Sequence, residues 1–314
     1  MSYHFKRSES VTDGVCRIAG EQIDRAIAEV DDGKLDGHET VHQVRKRCKK
    51  VRGLIRLVRP IAEQLYQSEN TAFRDAAAPL SDIRDAQALL ETFDELTQRY
   101  AEQLHTERFD AMRRQLMQRR DEIARDEGKL KERLNDFRQQ MEQARERVGR
   151  WTLDEEEFRA VEAGLEKTYQ RGRRAMERAY AKPTPENFHE WRKRVKYHGY
   201  HLRLLKPIWK PVLKKQEKGA DRLGDLLGDD HDLAVFASTV QADPSSFGEQ
   251  RDVQAILALL QGRRVELESL ARPVGQRLFA EKPSRLADRF GAYWETWRRE
   301  ENRPAYLIKR MLPG

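Results

Sequence analysis

The 314-residue sequence has few cysteines and no long apolar stretch. Its two cysteines, Cys16 and Cys48, are too few for a disulfide framework, and we expect both to be free thiols without a redox role. No window of about 18 apolar residues occurs, so no membrane span is expected. The opening residues MSYHFKRSES also lack the apolar core of a secretion signal. These absences predict a cytoplasmic protein with no membrane partner.

Positive charge is concentrated in two short segments. The net charge of the chain is only +7, yet residues 42–59 carry +8 and residues 189–206 carry +5, which leaves −6 for the remainder. An acidic body with two basic elements indicates a focused site for an anion more than a generally adhesive basic surface.

The first basic segment has the pattern of a helix with two different faces. Steps of three and four residues bring side chains to one face of an α-helix. One such set is basic: His42, Arg45, Lys49, Arg52, Arg56 and Arg59. Another set is apolar and is typical of a face that packs into a core: Val44, Cys48, Val51, Ile55 and Val58. The basic stripe would be roughly 25 Å long, which suits an extended polyanion.

The second basic segment repeats the first at an offset of 147 residues. HQVRKRCKKVRGLIRLVRP at 42–60 aligns without a gap on HEWRKRVKYHGYHLRLLKP at 189–207. A second block keeps the offset, because LSDIRDAQAL at 80–89 aligns on LGDDHDLAVF at 227–236. We therefore predict an internal duplication, with repeats over 1–150 and 151–300, a tail over 301–314, and the two basic faces meeting at an approximate two-fold axis.

Helical periodicity runs through almost the whole chain, and no strand is needed. We expect a long helix over about 39–65 with a kink at Pro60, and a following helix capped by Ser81 or Asp82. The charged stretch 105–150 predicts two antiparallel helices that share a narrow apolar seam and break near Gly128. Aromatic residues of the last helix, 284–299, are expected in the core.

These motifs resemble those of the CHAD family, the conserved histidine α-helical domains. The resemblance is carried by the H-x-x-R-K-x-x-K-K pattern at 42–50, by FHEWRKRVK at 188–196 and by LGDLLGDDHDLAVF at 223–236, and it covers nearly the entire chain as a single domain. It implies an all-α fold of two pseudo-symmetric four-helix bundles, with a basic groove or channel at their junction that binds inorganic polyphosphate.

The resemblance also implies a set of binding residues. In the first repeat they are His42, Arg45, Lys46, Lys49, Lys50, Arg52 and Arg56. In the second they are His189, Arg192, Lys193, Lys196 and Arg203. Two positions depart from the repeat, since Tyr197 replaces Lys50 and Gly199 replaces Arg52, and we expect the second half to bind less strongly or to shape the groove.

Three other functions compete with polyphosphate binding. Nucleic acid is disfavoured because the first stripe carries no aromatic residue for base stacking, although Trp191 and Tyr200 weaken this argument. The Asp229–Asp232 cluster, DDHD, could hold a metal ion for a phosphohydrolase, but Arg84 stands where the second half has His231. We therefore expect no metal, cofactor or catalysis, and interpret Asp85 and Asp232 as helix caps or as groups that orient the cations. The charged stretch 105–150 could also dock a protein partner.

Overall fold

The computed structural model describes residues 3–32, 36–101, 109–124 and 127–300, including their side chains except those of 83–85, 123, 124 and 127. Within these ranges the chain forms α-helices and short 3₁₀ turns and no β-strand, so the predicted all-α class is confirmed. None of the helices described is both long and apolar enough to cross a lipid bilayer.

The α-helices are numbered in chain order. Before residue 150 they are α1 (Val11–Asp31), α2 (Gly37–Val58), α3 (Glu63–Ala77), α4 (Ser81–Arg99), α5 (Asp110–Ala124) and α6 (Glu127–Val148). After it they are α7 (Arg159–Ala181), α8 (Pro185–Leu205), α9 (Lys210–Ala242), α10 (Gln250–Leu278) and α11 (Pro283–Arg299).

Proline ends helices more sharply than we expected. The helix predicted to run on to Leu65 stops at Val58, because Pro60 lies in a 3₁₀ turn before α3 begins. A proline in a helix interior removes a hydrogen bond and clashes with the preceding turn. Pro207 lies in the matching 3₁₀ turn after α8. The expected cap at Ser81 or Asp82 is wrong: Leu80 occupies the cap position of α4 and makes no side-chain bond.

The basic helices α2 and α8 start at side-chain caps. The Asp36 carboxylate accepts a hydrogen bond from the Glu39 amide at 2.7 Å, and the Thr184 hydroxyl accepts one from the Asn187 amide at 3.3 Å. Each cap satisfies an amide that a helix end would otherwise leave without a partner. The starts of both basic helices are therefore set locally.

The same order of helix contacts occurs before and after residue 150. Helix α1 packs on α2 and α6, as α7 packs on α8 and α11; α2 packs on α3, as α8 packs on α9. The α4 contact with α5 likewise matches that of α9 with α10, so α9 takes the place of α3 and α4 together. This order is consistent with the duplication, which itself stays a prediction.

Two hydrophobic cores hold the helices together, and each takes residues from both halves. The first contains buried residues of α1, α2, α3, α6, α7, α8 and α11 with the beginning of α9. The second contains residues of α4, α5, α10 and the end of α9. Because neither core stops at residue 150, the two halves are packed into each other, and the arrangement as two separate four-helix bundles also stays a prediction.

The predicted apolar seam of 105–150 divides between these cores. Phe109, Met112 and Leu116 are buried in the second core, whereas Phe137 and Met141 are buried in the first. Helix α5 packs mainly on α4, and α6 packs mainly on α1, instead of pairing as one antiparallel hairpin. His105 and the side chain of Ile123, which belonged to the same prediction, lie outside the described residues.

Most of the aromatic residues expected in the core are buried. Phe290, Trp294 and Trp297 of α11 are buried, as is Trp191 of α8, whereas Tyr293 of α11 is half-buried. Cys48 is a buried free thiol and Cys16 a half-buried one.

Candidate functional site

The two basic helices cross in direct contact at Gly53. A Cβ placed on Gly53 would lie 2.8 Å from Cδ2 of Tyr200, so only glycine permits this approach. The His201 ring nitrogen Nε2 lies 3.1 Å from the Gly53 carbonyl oxygen. Gly53 and Tyr200 are 147 residues apart and therefore equivalent in the repeat. Contact between counterparts is consistent with the predicted two-fold relation, in which residues at the axis meet their own equivalents.

The crossing divides the basic residues of α2 into two groups. With 3.6 residues per turn, one group lies on one side of Gly53 and the second on the other. The first group comprises Arg45, Lys49, Arg52 and Arg56, and the second comprises Lys46 and Lys50. Contacts with α8 agree with this division, because Arg56 stacks on Tyr197 while Arg203 acts electrostatically on Lys50. The stripe residues Arg45, Lys49, Arg52 and Arg56 therefore lie together on one side of the crossing, and Lys46 and Lys50 lie on the other.

On the first side, arginines gather around two tyrosine rings. The Arg56 guanidinium lies 4.1 Å from the ring centre of Tyr197 and 5.1 Å from that of Tyr66. Arg171 of α7 joins them, and its pKa is lowered by burial and then by Arg194, Arg59 and Arg56. Sequence reasoning missed Arg171 because it lies outside both basic segments, in the RGRR run at 171–174.

On the second side, Lys50 is a partly buried amine among other cations. Its Nζ lies 5.4 Å from the ring centre of Tyr3. Burial lowers the pKa of Lys50 to about 8, with further lowering from Arg47, Lys46, Arg203 and Arg25. Arg47 has a carboxylate partner in Glu29, at 2.5 Å. An anion bound near Lys50 would relieve repulsion that the fold itself leaves in place.

Acidic residues of α9 neutralise part of the α8 face. Arg203 Nε donates to Glu217 at 2.9 Å, and its Nη2 donates to Asp221 at 2.7 Å. Lys196 pairs with Asp225 at 3.2 Å. The charge of +5 over 189–206 does not include these carboxylates, because they come from the next helix.

Glycines of α9 let the other α8 cations lie against the helix. The side chain of Lys196 passes over Gly224, where a Cβ would meet its Nζ at 3.0 Å, and Arg192 passes over Gly228. The Nε of Arg192 is buried without a hydrogen-bond partner among the described residues. Lys193 pairs within its own helix, with Glu190 at 2.5 Å.

His189 and His231 form a pair at the start of the α8 face. Their Nδ1 atoms lie 3.0 Å apart, so in the neutral pair one ring donates and the other accepts. Burial lowers the pKa of His189, and Lys193 and Arg192 lower it further. Burial also lowers the pKa of His231 to about 3, with contributions from His189, Arg192, Arg264 and Lys49. Burial, and not like charge, is therefore the largest cause of the lowered pKa of His189.

His42 and Arg45 lie in different surroundings from their counterparts. His42 lines a surface pocket of about 590 Å³ whose acidic members are Asp36, Glu39, Glu91 and Asp121. His42 therefore shares this pocket with carboxylates from α4, from α5 and from the start of α2. Arg45 Nη1 donates to the Ala77 carbonyl at 3.1 Å.

The four side chains of Asp229–Asp232 do not converge on one point. Asp230 is buried and accepts a hydrogen bond from Arg264 Nε at 2.9 Å, while His231 faces His189. Asp229 and Asp232 line a small pocket with Glu95 and Arg263. Among the described side chains, no group of three or more His, Cys, Asp and Glu residues is arranged to hold a metal ion.

The capping interpretation fails for Asp232, which lies in the interior of α9, and the side chain of Asp85 lies outside the described residues. Asp230 instead joins α9 to α10 through Arg264.

Comparison with known proteins agrees with this fold. No curated protein matches the chain. Among solved structures, PptA from Streptomyces chartreusis is similar, with a TM-score of 0.58 at 13% identity, over 86% of this chain and 98% of that one. The family model of the CHAD domain matches residues 17–241, which include α2, α8 and nearly all of α9. The chain therefore belongs to the CHAD domain family.

Proposed function

We propose that the protein binds inorganic polyphosphate at the crossing of α2 and α8. The observation that carries the proposal is the contact at Gly53, which brings cations of α2, α7 and α8 to the two sides of one junction. Arg171 and Lys50 both have lowered pKa values there, caused by burial and by neighbouring cations. A site of this kind is poised for an anion, because the bound charge would offset repulsion present in the free protein.

The length of the site favours a chain over a small ion. Residues 42–59 of α2 and the turn after it carry cations along roughly 25 Å. Arginine can engage phosphate oxygens with two parallel hydrogen bonds, and lysine supplies a mobile point charge. Affinity then accumulates over many modest contacts, and no single residue needs to dominate.

The surroundings of the aromatic rings favour polyphosphate over nucleic acid. Tyr197 and Tyr66 are covered by Arg56, so these faces are already occupied. Trp191 is fully buried in the first core. Binding of single-stranded nucleic acid uses aromatic faces that are free to stack on bases.

We further propose that the protein binds polyphosphate without catalysing a reaction on it. We place it in the cytoplasm, where bound polyphosphate would link it to polyphosphate granules or to a protein partner. The separate partners of Asp230 and His231 favour this proposal over a metal-dependent phosphohydrolase. Activity toward phosphate esters or polyphosphate, measured with added divalent cations, would argue against it.

A competition experiment tests the main proposal. Long polyphosphate and RNA of matched total charge are titrated against the labelled protein at physiological salt. We expect polyphosphate to bind more tightly, with log affinity falling linearly against log salt as counterions are released. RNA winning the competition, or a flat salt dependence, would contradict polyphosphate as the ligand.

The double variant Lys49→Glu with Arg56→Glu should weaken binding strongly. The matched control is Arg251→Glu with Arg285→Glu, which makes the same change in net charge at exposed positions of α10 and α11. Equal losses of polyphosphate affinity in the two double variants would mean that binding depends only on the overall charge of the protein.

A further inference from the structure

Two equivalent arginines of the repeat have different partners. Arg56 and Arg203 are 147 residues apart and lie on opposite sides of the α2–α8 crossing. Arg203 is held by both Glu217 and Asp221. At the same offset the first half has Asn70 and Arg74, neither of which carries a negative charge. The first half therefore has the equivalent arginine, Arg56, but no acidic residues at the positions of Glu217 and Asp221.

Asn70 makes a different contact from that of its counterpart. Its Oδ1 accepts a hydrogen bond from Arg52 Nε at 3.0 Å. Among the described residues, Arg56 forms no ion pair, and its buried Nε has no hydrogen-bond partner. Its guanidinium is held by the Tyr66 and Tyr197 rings, which orient a cation without neutralising it.

Arg171 brings a second guanidinium toward Arg56 from α7, which packs directly on α2 because Gly164 lies against the Leu57 carbonyl oxygen. Burial and the nearby Arg194, Arg59 and Arg56 lower its pKa. Two of these neighbours have carboxylate partners, since Arg59 pairs with Glu63 at 2.8 Å and Arg194 pairs with Glu190. Arg56 and Arg171 lack such a partner in the part of the chain that the structure describes.

We propose that Arg56 and Arg171 together bind one phosphate group, and that Arg203 is a structural clamp which binds none. This inference rests on the proposed function, because it assigns a subsite for one phosphoryl group of a polyphosphate chain. It adds a residue of α7 to the binding surface and removes a residue of α8 from it. Two guanidiniums can surround a tetrahedral phosphoryl group with charge-assisted hydrogen bonds, whereas the hydrogen-bonding edge of Arg203 is already used by carboxylates.

The test compares Arg171→Gln with Arg203→Gln by calorimetry against long polyphosphate at several salt concentrations. We expect Arg171→Gln to weaken binding about tenfold, as for one lost charge-assisted hydrogen bond, and to lower the salt slope by about one. Arg203→Gln should leave the salt slope unchanged. The control Arg173→Gln changes a residue of α7 that contacts Glu281 instead of the site, and it should bind like the parent.

Circular dichroism and thermal unfolding identify any variant that does not fold. Arg171→Lys provides a second measurement, because it keeps the charge and should retain the salt slope while losing part of the affinity. A salt slope unchanged in Arg171→Gln, or lowered equally in Arg203→Gln, would overturn the subsite and leave polyphosphate binding intact. If the parent protein itself binds no polyphosphate, the proposed function fails instead.

Titration with orthophosphate distinguishes a subsite for a polyphosphate chain from a site for free phosphate. Titration of the parent with orthophosphate should give much weaker binding than titration with the chain, because one subsite supplies few contacts. If orthophosphate binding depends on Arg171 while polyphosphate binding does not, the site takes free phosphate, and the assignment to the chain is wrong.

Discussion

Replacing Lys50 by Met should make the protein more stable and a weaker binder. The Lys50 amine has a pKa of about 8, against an ordinary 10.5, because of burial and of neighbouring cations on α1, α2 and α8. That difference corresponds to at most about 3 kcal/mol. Solvent screens a side chain that is still partly exposed, so we expect a gain of about 1 kcal/mol at pH 7. Methionine keeps much of the apolar stem and removes the charge.

The pH dependence of the gain distinguishes charge from packing. In the folded protein Lys50 is charged below about pH 8, whereas in the unfolded chain it stays charged up to about 10.5. The unfavourable interaction is thus fully present at pH 7, and it fades as pH rises from 8 toward 10.5. The stabilisation by Lys50→Met should therefore be largest at pH 7 and nearly absent by pH 10.

Urea unfolding at pH 7, 8.5 and 10 measures the gain, and polyphosphate titration at pH 7 measures the loss of binding. The salt slope should fall by about one if Lys50 contacts a phosphate. A gain in stability that is the same at all three pH values would mean that packing alone is responsible. A destabilised variant, or unchanged affinity, would refute the reasoning that repulsion is retained there for binding.

Three further predictions concern the crossing and the histidines. Arg45→Glu with Lys49→Glu should weaken polyphosphate binding by tenfold or more while circular dichroism stays unchanged; unaltered affinity would place the ligand elsewhere. Polyphosphate binding near pH 6.5 should take up protons, because a polyanion raises the lowered pKa of His189, so affinity rises as pH falls; calorimetry in buffers of different ionisation enthalpy should find less uptake in His189→Gln. Gly53→Ala should destabilise by about 1–3 kcal/mol, since its Cβ meets Tyr200, whereas Gly262→Ala, with no atom within 4 Å, should not; equal effects on unfolding would contradict the close crossing.

The features that the sequence predicts well are those set by local periodicity. The two faces of α2, the burial of Cys48 and Trp191, and the all-helical class all follow from helical spacing. The offset of 147 residues also identifies Gly53 as the counterpart of Tyr200. A duplication implies that equivalent segments meet near an axis, but it does not reveal which pair of residues is in contact.

The features that the sequence could not supply depend on which helices become neighbours. Glu217 and Asp221 neutralise Arg203 from the next helix, and no count of charge within 189–206 could include them. Arg171 likewise reaches the site from α7, a helix without an obvious basic stripe. A count of charge along the chain therefore overestimates the positive charge that α8 can offer to a ligand. It underestimates the positive charge on the Arg56 side of the crossing, because Arg171 comes from another helix.

The difference between the two sides has a physical reason. Repulsion among partly buried cations lowers stability, and a duplicated site would carry this cost twice. In the second half, Glu217 and Asp221 offset that cost around Arg203. In the first half, Asn70 and Arg74 leave Arg56 to the tyrosine rings and to an incoming anion. If both sides bound phosphate equally, the carboxylates of α9 would oppose the function. Their presence at Arg203 and not at Arg56 matches the proposed difference between these two arginines, with Arg203 held as a clamp and Arg56 left to an anion.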